Sequence, residues 1–325
     1  LSPDYQWNTY KWTLSLSSPL RWTGYTGVGF SRISVNPSLS IIYKLNYAWR
    51  FTAHASYKER YGEMTDLYDR PYQTDYRNSV WNCGILPVYR QQLYSVYGEY
   101  KNTAREFFAT VNLTHNREWY NRIYEQRIEN GQVQRVSLPL SNHGSGYTVK
   151  STLSKGFYEL GLKTSFLVLL NISKAEQISG GQRLPYQYRL MLLEPKVIWT
   201  PNRHWETSYQ TDIRYGGNKI GERTRLAPLW NVTQQVQLSY IFSPIEASLS
   251  VDHYHNDVNE DQSVNAVFAD FSVSWKSGRW QITATATNLF DKRTYAYTRY
   301  ASLESYTSWV RIRPREFQVA IRYRL

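Results

Sequence analysis

Apolar and polar residues alternate with a period of two along most of the chain. In residues 279–289, Trp280, Ile282, Ala284 and Ala286 are separated by glutamine and threonine. Successive side chains of a strand point to opposite faces of a sheet, so this pattern predicts strands with one apolar and one polar face. No stretch of similar length has the 3.6-residue period of a helix. The pattern therefore predicts an all-β chain.

Fifteen such strands are predicted, at 5–17, 22–33, 38–45, 48–58, 88–101, 104–115, 145–154, 157–173, 185–200, 203–215, 231–242, 245–257, 264–276, 279–289 and 315–325. Short connections lie near 18–21, 46–48, 102–104, 154–157, 201–203, 243–244 and 277–278. They alternate with a tighter link near 34–37 and with long ones near 59–87, 116–144, 174–184, 216–230, 257–263 and 290–314. This regular alternation predicts a transmembrane antiparallel up-and-down β-barrel, with tight turns on one rim and long loops on the other.

Tryptophan supplies a second pattern. Six of the 12 tryptophans lie beside predicted short connections: Trp22, Trp49, Trp199, Trp205, Trp275 and Trp280. A general preference of tryptophan for strands does not explain this placement. Membrane barrels carry a girdle of aromatic side chains at the boundary between lipid and water. We therefore expect these six residues to form such a girdle.

Composition narrows the class of protein. The chain has 325 residues and a formal net charge of +12, but lysine and arginine are scattered and form no basic run. This argues against a nucleic-acid partner. The longest apolar run, 166–170, is much shorter than the roughly 20 residues of a membrane-spanning helix. Cys83 is the only cysteine, which excludes an internal disulfide.

No catalytic or metal-binding constellation stands out, so we expect no enzyme and no bound cofactor. Two long connections instead interleave aromatic and charged residues, a composition that suits recognition of sugars, peptides or planar chelates. The candidate ligand-binding residues are Tyr68, Arg70, Tyr72, Tyr76, Trp81, Arg117, Trp119, Tyr120, Arg122 and Tyr124. The alternative is that these loops pack only against each other and against lipopolysaccharide.

The end of the chain carries a recognisable motif. Residues Asn288, Leu289, Phe290, Asp291 and Lys292, followed by a long loop and a last alternating strand, resemble the C-terminal signature of TonB-dependent outer-membrane receptors. The segments 312–317 and 321–325 resemble that family's ending, with Ile312 where glycine is common and Leu325 in place of Phe or Trp. The tyrosine-rich loops and residues 138–158 resemble members from Bacteroidetes.

This resemblance implies active uptake of a scarce ligand across the bacterial outer membrane, the ligand being a siderophore, cobalamin, glycan or peptide. The family's barrel has about twenty-two strands. If 315–325 is the last strand, counting back makes 5–17 the eighth, and an eighth strand runs towards the periplasm. A short turn after 5–17 agrees with this direction. Residues 1–325 are thus expected to be the C-terminal part of a barrel, without the plug domain and the first seven or so strands.

The same resemblance implies the partners. These are outer-membrane lipid and lipopolysaccharide, a TonB-type energy-coupling protein that acts through the missing N-terminal part, the ligand, and a surface lipoprotein. Two alternatives are kept. One is a passive porin of roughly sixteen strands, complete as given. The other is a soluble aromatic-rich β protein, such as a secreted carbohydrate-binding or propeller module, which predicts polar residues on the outward faces at mid-strand, unlike Leu160 to Ile172.

Overall fold

The computed structural model describes residues 2–25, 29–82, 84–129, 131–221, 224–225, 227–259, 261–301 and 304–324, so that Cys83 and Leu325 lie outside the described residues. In these ranges the strands are β1 (Asp4–Asn8), β2 (Trp12–Ser17), β3 (Leu20–Tyr25), β4 (Phe30–Val35), β5 (Ser38–Lys44), β6 (Trp49–Tyr61), β7 (Tyr72–Gln73), β8 (Asn78–Trp81), β9 (Val88–Asn102), β10 (Phe107–Tyr120), β11 (Ile123–Glu129), β12 (Gln132–Leu138), β13 (Asn142–Phe157), β14 (Leu162–Ser179), β15 (Gln182–Asn202), β16 (Trp205–Ile220), β17 (Thr224–Arg225), β18 (Leu229–Phe242), β19 (Ile245–Asp257), β20 (Ser263–Ser277), β21 (Trp280–Thr287), β22 (Thr294–Ala301), β23 (Glu304–Arg311) and β24 (Glu316–Tyr323).

Two short 3-10 turns, Met64–Leu67 and Tyr158–Leu160, are the helical elements of the described ranges. Neither these nor any other described helix has the length and apolarity needed to cross a membrane.

One meander of antiparallel strands forms the body of the molecule. Each strand pairs with its neighbour in the order β1, β2, β5, β6, β9, β10, β13, β14, β15, β16, β18, β19, β20, β21 and β24. The predicted antiparallel up-and-down architecture is confirmed. Within the described residues, β1 and β24 do not pair with each other and are the two edges of this meander.

The number of fifteen strands is right, but two predicted strands are placed wrongly. The segment 5–17 is a hairpin of β1 and β2, because residues 9–11 form a tight turn. The segment 22–33 is not a meander strand: β3 and β4 form a separate hairpin. Pro19 and Pro37 flank this hairpin and lack the amide hydrogen that a sheet ladder needs, so the pairing of β2 with β5 stops below them. One predicted strand is thus two meander strands and another is none, so the total of fifteen is unchanged.

The described connections fall into two kinds, on opposite rims. Turns such as 9–11, 45–48, 103–106 and 278–279 define the short-turn rim. At the opposite, long-connection rim, most connections contain paired strands of their own, such as β3–β4, β11–β12 and β22–β23. The predicted long link at 174–184 is wrong. β14 and β15 pair almost to their ends, and the turn between them is Gly180-Gly181.

Strand register extends one pair of faces across the whole meander. Trp280 faces Tyr323 on β24, and Trp275 of β20 faces Ile282. Continuing this register from strand to strand places the alternating apolar residues of every meander strand on one side, here called the apolar face. The side chains of Gln281, Thr283 and Thr285 project from the other side, the polar face.

Aromatic side chains line the apolar face along the short-turn rim. Trp49 lies 4.8 Å from Tyr100 between ring centroids, Trp205 lies 4.6 Å from Tyr240, and Trp280 lies 4.8 Å from Tyr323. Trp199 and Trp275 also lie at this rim, so five of the six tryptophans are beside short turns as expected. The prediction is wrong for Trp22, which lies on the β3–β4 hairpin at the long-connection rim and is 70% exposed.

Buried apolar side chains are few for a chain of this size. Among the described residues they are Ile123, Val136, Ile178, Leu229, Ala266, Ala269 and Ala296. Ile123, Val136 and Ile178 cluster where β11 and β12 contact β14, at the long-connection rim. On the apolar face, in contrast, Phe166, Leu170 and Ile172 remain about 40% exposed. The protein itself therefore leaves its largest apolar surface uncovered.

The motif at 288–292 follows the end of β21 at the long-connection rim. Asn288 is buried with a φ of 51°. Its side-chain Nδ2 donates to the carbonyls of Lys292 and Arg313, both at 2.8 Å. Its Oδ1 accepts from the Lys292 amide at 3.0 Å. Asp291, also at φ 51°, accepts from the Arg315 amide at 3.0 Å. Asparagine and aspartate tolerate this left-handed backbone, which explains the residue types in the motif.

Candidate ligand-binding site

Two long connections join to form a small sheet above the polar face. β8 pairs in parallel with β12, β12 pairs with β11, and β11 pairs in parallel with the end of β14. We call the strands β7, β8, β11 and β12 the roof. The roof brings the two predicted ligand-binding segments, 66–81 and 117–127, into contact.

An ion pair ties the two segments together. Arg122 Nη1 lies 3.0 Å from Asp66 Oδ1, and the two side chains are 14% and 20% exposed. A guanidinium and a carboxylate that are largely shielded from water interact more strongly than an exposed pair. Arg122 therefore fixes the position of the segment before β7 relative to the start of β11.

A cavity of about 740 Å³ lies between the roof and the ends of β10, β13 and β14. The residues that line it include Asn78, Asn116, Glu118, Tyr120, Arg122, Tyr124, Arg135, Asn142, Lys174 and Tyr186. They combine aromatic rings with amides and with charges of both signs. This is the mixture found in sites that orient a polar ligand through hydrogen bonds while contacting its flat surfaces.

Glu118 organises the wall of this cavity. Its carboxylate accepts hydrogen bonds from Tyr120 at 2.8 Å and from Tyr89, Gln91 and Asn116, each at 3.1 Å. Four donors converge on one side chain, so its orientation is held before any ligand arrives. Burial first, and then the hydrogen bond to Glu118, raise the pKa of the Tyr120 phenol above its ordinary value. Tyr120 thus remains a neutral donor over the whole physiological pH range.

Tyr124 provides an aromatic surface with two cations on it. The Arg135 guanidinium carbon lies 3.6 Å from the ring centroid, and that of Arg122 lies 5.0 Å from it. Such contacts stabilise both partners when they are shielded from water. Nearby, the buried Oδ1 of Asn142 has no hydrogen-bond partner in the part of the chain that is described. A hydrogen-bond donor from a bound water or from a ligand can satisfy it.

Only some of the predicted residues meet at this cavity. Tyr120, Arg122 and Tyr124 line it. Tyr68 and Tyr72 contact each other edge to face at 6.0 Å, and both are exposed. The remaining loop candidates are Tyr76, which is 81% exposed, Arg70, also exposed, and Trp81, whose indole donates to the Asp69 carbonyl at 3.1 Å.

Arg117 and Trp119 point away from the cavity. β10 extends to Tyr120, so the segment predicted as loop from 117 is strand up to that residue. Alternation then places Glu118 and Tyr120 on the polar face and Arg117 and Trp119 on the apolar one. Arg117 Nε instead donates to His115 Nε2 at 3.1 Å.

Sequence reasoning missed Glu118, Arg135, Asn142 and Tyr186. The sequence pattern could have indicated Glu118, because this residue lies two positions before Tyr120 in an alternating strand and so shares its face. Asn142 faces Tyr120 across β10 and β13, and Tyr186 is on β15, so both reach the cavity through the meander. Arg135 comes from β12 of the roof.

Comparisons with known proteins add little beyond the general class of fold. No protein-family model matches the chain. No curated protein sequence matches it significantly.

Among solved structures, the siderophore receptor PirA from Acinetobacter baumannii is similar over 88% of this chain and 58% of its own, with 8% identity and a TM-score of 0.42. The ferric-catecholate import receptor Fiu from E. coli K12 is similar over 99% and 78%, with 9% identity and a TM-score of 0.42. A Pseudomonas aeruginosa FadL homologue is similar over 91% and 80%, with 8% identity and a TM-score of 0.32. This chain therefore spans 58% of the length of PirA. Likeness at this level carries no argument about function, and the fold is defined by the strand pairing itself.

Proposed function

We propose that this chain forms part of the barrel wall of a TonB-dependent transporter in the bacterial outer membrane. Its ligand, in this proposal, enters at the long-connection rim and binds in the cavity next to Glu118. The chain makes and breaks no covalent bonds. The observation that carries the proposal is the division of the meander into one apolar and one polar face, with the cavity next to Glu118 at the long-connection rim.

The height of the apolar face supports a location in lipid. On β14 it runs from Leu162 to Ile172, with Phe166, Val168 and Leu170 between them. That is the roughly 9–11 residues that a tilted strand needs to cross a bilayer core. Phe166, Leu170 and Ile172 are exposed, and Leu162 and Val168 are only half-buried. Lipid covers them at no cost, whereas water would leave a large unfavourable surface.

Unpaired edges support a larger barrel. The backbone groups at the outer edges of β1 and β24 have no strand partner in the described ranges. In lipid, each unsatisfied backbone group costs several kcal/mol, so membrane strands occur in closed barrels. We infer that further strands, and a plug domain before them, complete the barrel. The plug then links the transporter to a TonB-type protein, while lipopolysaccharide and a surface lipoprotein are the partners at the outer side.

The cavity supports a polar ligand with flat surfaces, such as an iron chelate, cobalamin, a glycan or a peptide. A passive porin of roughly sixteen strands is the second candidate, because a polar face alone also suits an open channel. The roof favours the transporter, since paired loops over a lumen restrict free diffusion.

The deciding experiment is a denaturing gel of boiled outer membranes, probed with an antibody against this chain. A band well above 38.4 kDa, together with ligand uptake that stops when the energy-coupling protein is deleted, supports the transporter. A band at 38.4 kDa with uptake independent of energy coupling contradicts it and supports the porin. Absence from the outer-membrane fraction contradicts both.

A further inference from the structure

One part of the apolar face is concave. Over β5 and β6 the residues Ala53 and Ala55 are much smaller than their neighbours, and Leu39 and Ile41 lie beside them in register. Together with Val96 and Leu113, among others, they line a groove of about 530 Å³. Its walls are almost entirely hydrocarbon. A groove of this shape fits a single acyl chain better than the flat wall elsewhere does.

The end of the groove towards the long-connection rim is closed by three rings. His115 stacks on Tyr147 at 4.2 Å and on Tyr94 at 6.4 Å, measured between ring centroids. The three residues face each other across β9, β10 and β13. An occupant of the groove must therefore extend towards the short-turn rim.

A second pocket, of about 550 Å³, lies in that direction, at the short-turn rim. Trp49, Tyr100 and Phe107 give it aromatic sides, and Arg105 and Lys155 give it positive charge. Between the two pockets the ring of Phe51 lies next to Gly98, where a side chain would meet it at 3.6 Å. The pair Phe51 and Gly98 thus separates the charged pocket at Trp49 and Tyr100 from the groove at Ala53 and Val96 by a single step of the strand register.

Among the described residues, no carboxylate neutralises either of the two cations. Lys155 Nζ donates to the carbonyl of Arg105 and lies 5.3 Å from the Phe157 ring centroid. Neither Lys155 nor Arg105 takes part in a salt bridge in the described ranges, whereas Arg50 nearby is paired with Glu99. Anionic head groups attract cationic side chains held at this depth.

We propose that the groove and the charged pocket together bind one anionic glycerophospholipid of the leaflet at the short-turn rim. Arg105 and Lys155 hold the phosphate, Trp49 and Tyr100 contact the glycerol region, and one acyl chain occupies the groove beside Ala53 and Ala55. This inference rests on the proposed function only in so far as the apolar face lies in a membrane. It does not depend on transport.

The test uses the native full-length protein purified in mild detergent. Its thermal unfolding is followed while phosphatidylglycerol, phosphatidylcholine or inorganic phosphate is added. We expect phosphatidylglycerol to raise the unfolding temperature, because a ligand that binds only the folded state stabilises it. In the double variant R105Q/K155Q, the same rise is expected to require about tenfold more phosphatidylglycerol.

The matched control is K101Q/K163Q, which removes two charges at the same turns but from the polar face. It is expected to respond like the unmodified protein. An equal response of R105Q/K155Q and the control would overturn the proposal. A rise produced by inorganic phosphate alone would also overturn it, since a simple anion site would then suffice.

A second variant tests the groove. Ala55→Leu fills it without changing charge and is expected to weaken phosphatidylglycerol binding, while Ala284→Leu, on the flat part of the apolar face, is expected to leave it unchanged. Equal binding by these two variants would contradict the acyl-chain assignment. Failure of the proposed transport is detected separately, by uptake and membrane fractionation, and does not alter the binding measured in detergent.

Discussion

The two rims of this sheet are built by different kinds of interaction. At the short-turn rim, neighbouring strands are joined by a few residues, and the side chains on the apolar face are aromatic. At the long-connection rim, β8 pairs with β12 and β11 pairs with β14, which joins residues far apart in the sequence, such as Val133 with Asn78 and Glu125 with Ile178. One rim is determined by local sequence, and the other by contacts between distant segments. The candidate binding site lies at the second.

The first prediction concerns the faces that connect the rims. Val168→Arg places a charge near the middle of the apolar face, and we expect it to destabilise the membrane-inserted protein by about 3 kcal/mol. Asn171→Arg, on the polar face of the same strand, is expected to cost far less. Urea unfolding in lipid bilayers measures both. Equal losses would show that the two faces are not separated by lipid and water.

The second prediction concerns the motif at the long-connection rim. Asn288→Ala removes three side-chain hydrogen bonds and places alanine at φ 51°, so we expect a loss of about 2 kcal/mol in the free energy of unfolding. Asn288→Gly keeps the backbone conformation and should lose less. If glycine proved as harmful as alanine or worse, the left-handed backbone would not contribute to the effect.

The third prediction concerns the roof. Arg122→Gln breaks the ion pair with Asp66, and we expect local opening of the roof to become easier by about 1 kcal/mol. Hydrogen exchange of residues 72–81 and 123–138 measures this opening. Arg127→Gln is the control, because Arg127 is 44% exposed and pairs with Glu125 on its own strand. Faster exchange in both variants would argue against a special role for the Arg122 pair.

The smallest expected effect is a pH dependence at Tyr120. Its pKa is raised in the folded protein, so the unfolded chain loses this proton at a lower pH than the folded protein does. The stabilising contribution of Tyr120 is therefore complete below about pH 10 and declines as the pH rises further. Tyr120→Phe should remove this part of the alkaline destabilisation. An unchanged alkaline profile in the variant would exclude Tyr120 as its source.

Alternation in the sequence was sufficient to predict the faces, the meander and five of six tryptophan positions. It failed at 5–17 because apolar residues continue on both sides of the turn at 9–11, so the break in the pattern is short. It failed at 174–184 because β14 and β15 extend beyond the apolar region, where polar residues resemble a loop.

The candidate site was only half predictable. Tyr120, Arg122 and Tyr124 could be chosen by composition, because aromatic and charged residues are interleaved there. The position of Arg135 beside them depends on parallel pairings only two to four residues long, such as Glu125 with Ile178. Such short contacts leave no periodic signal in a sequence. Only the folded arrangement of the roof reveals them.

The strand register also constrains how this protein can change over generations. Deleting one residue inside β14 would exchange the two faces for the rest of that strand, turning Leu170 towards water and Asn171 towards hydrocarbon. Between Gly180 and Gly181, at φ 57° and 75°, added residues disturb no pairing. Insertions at such a connection leave the wall the same length, so new recognition surfaces can arise at the long-connection rim.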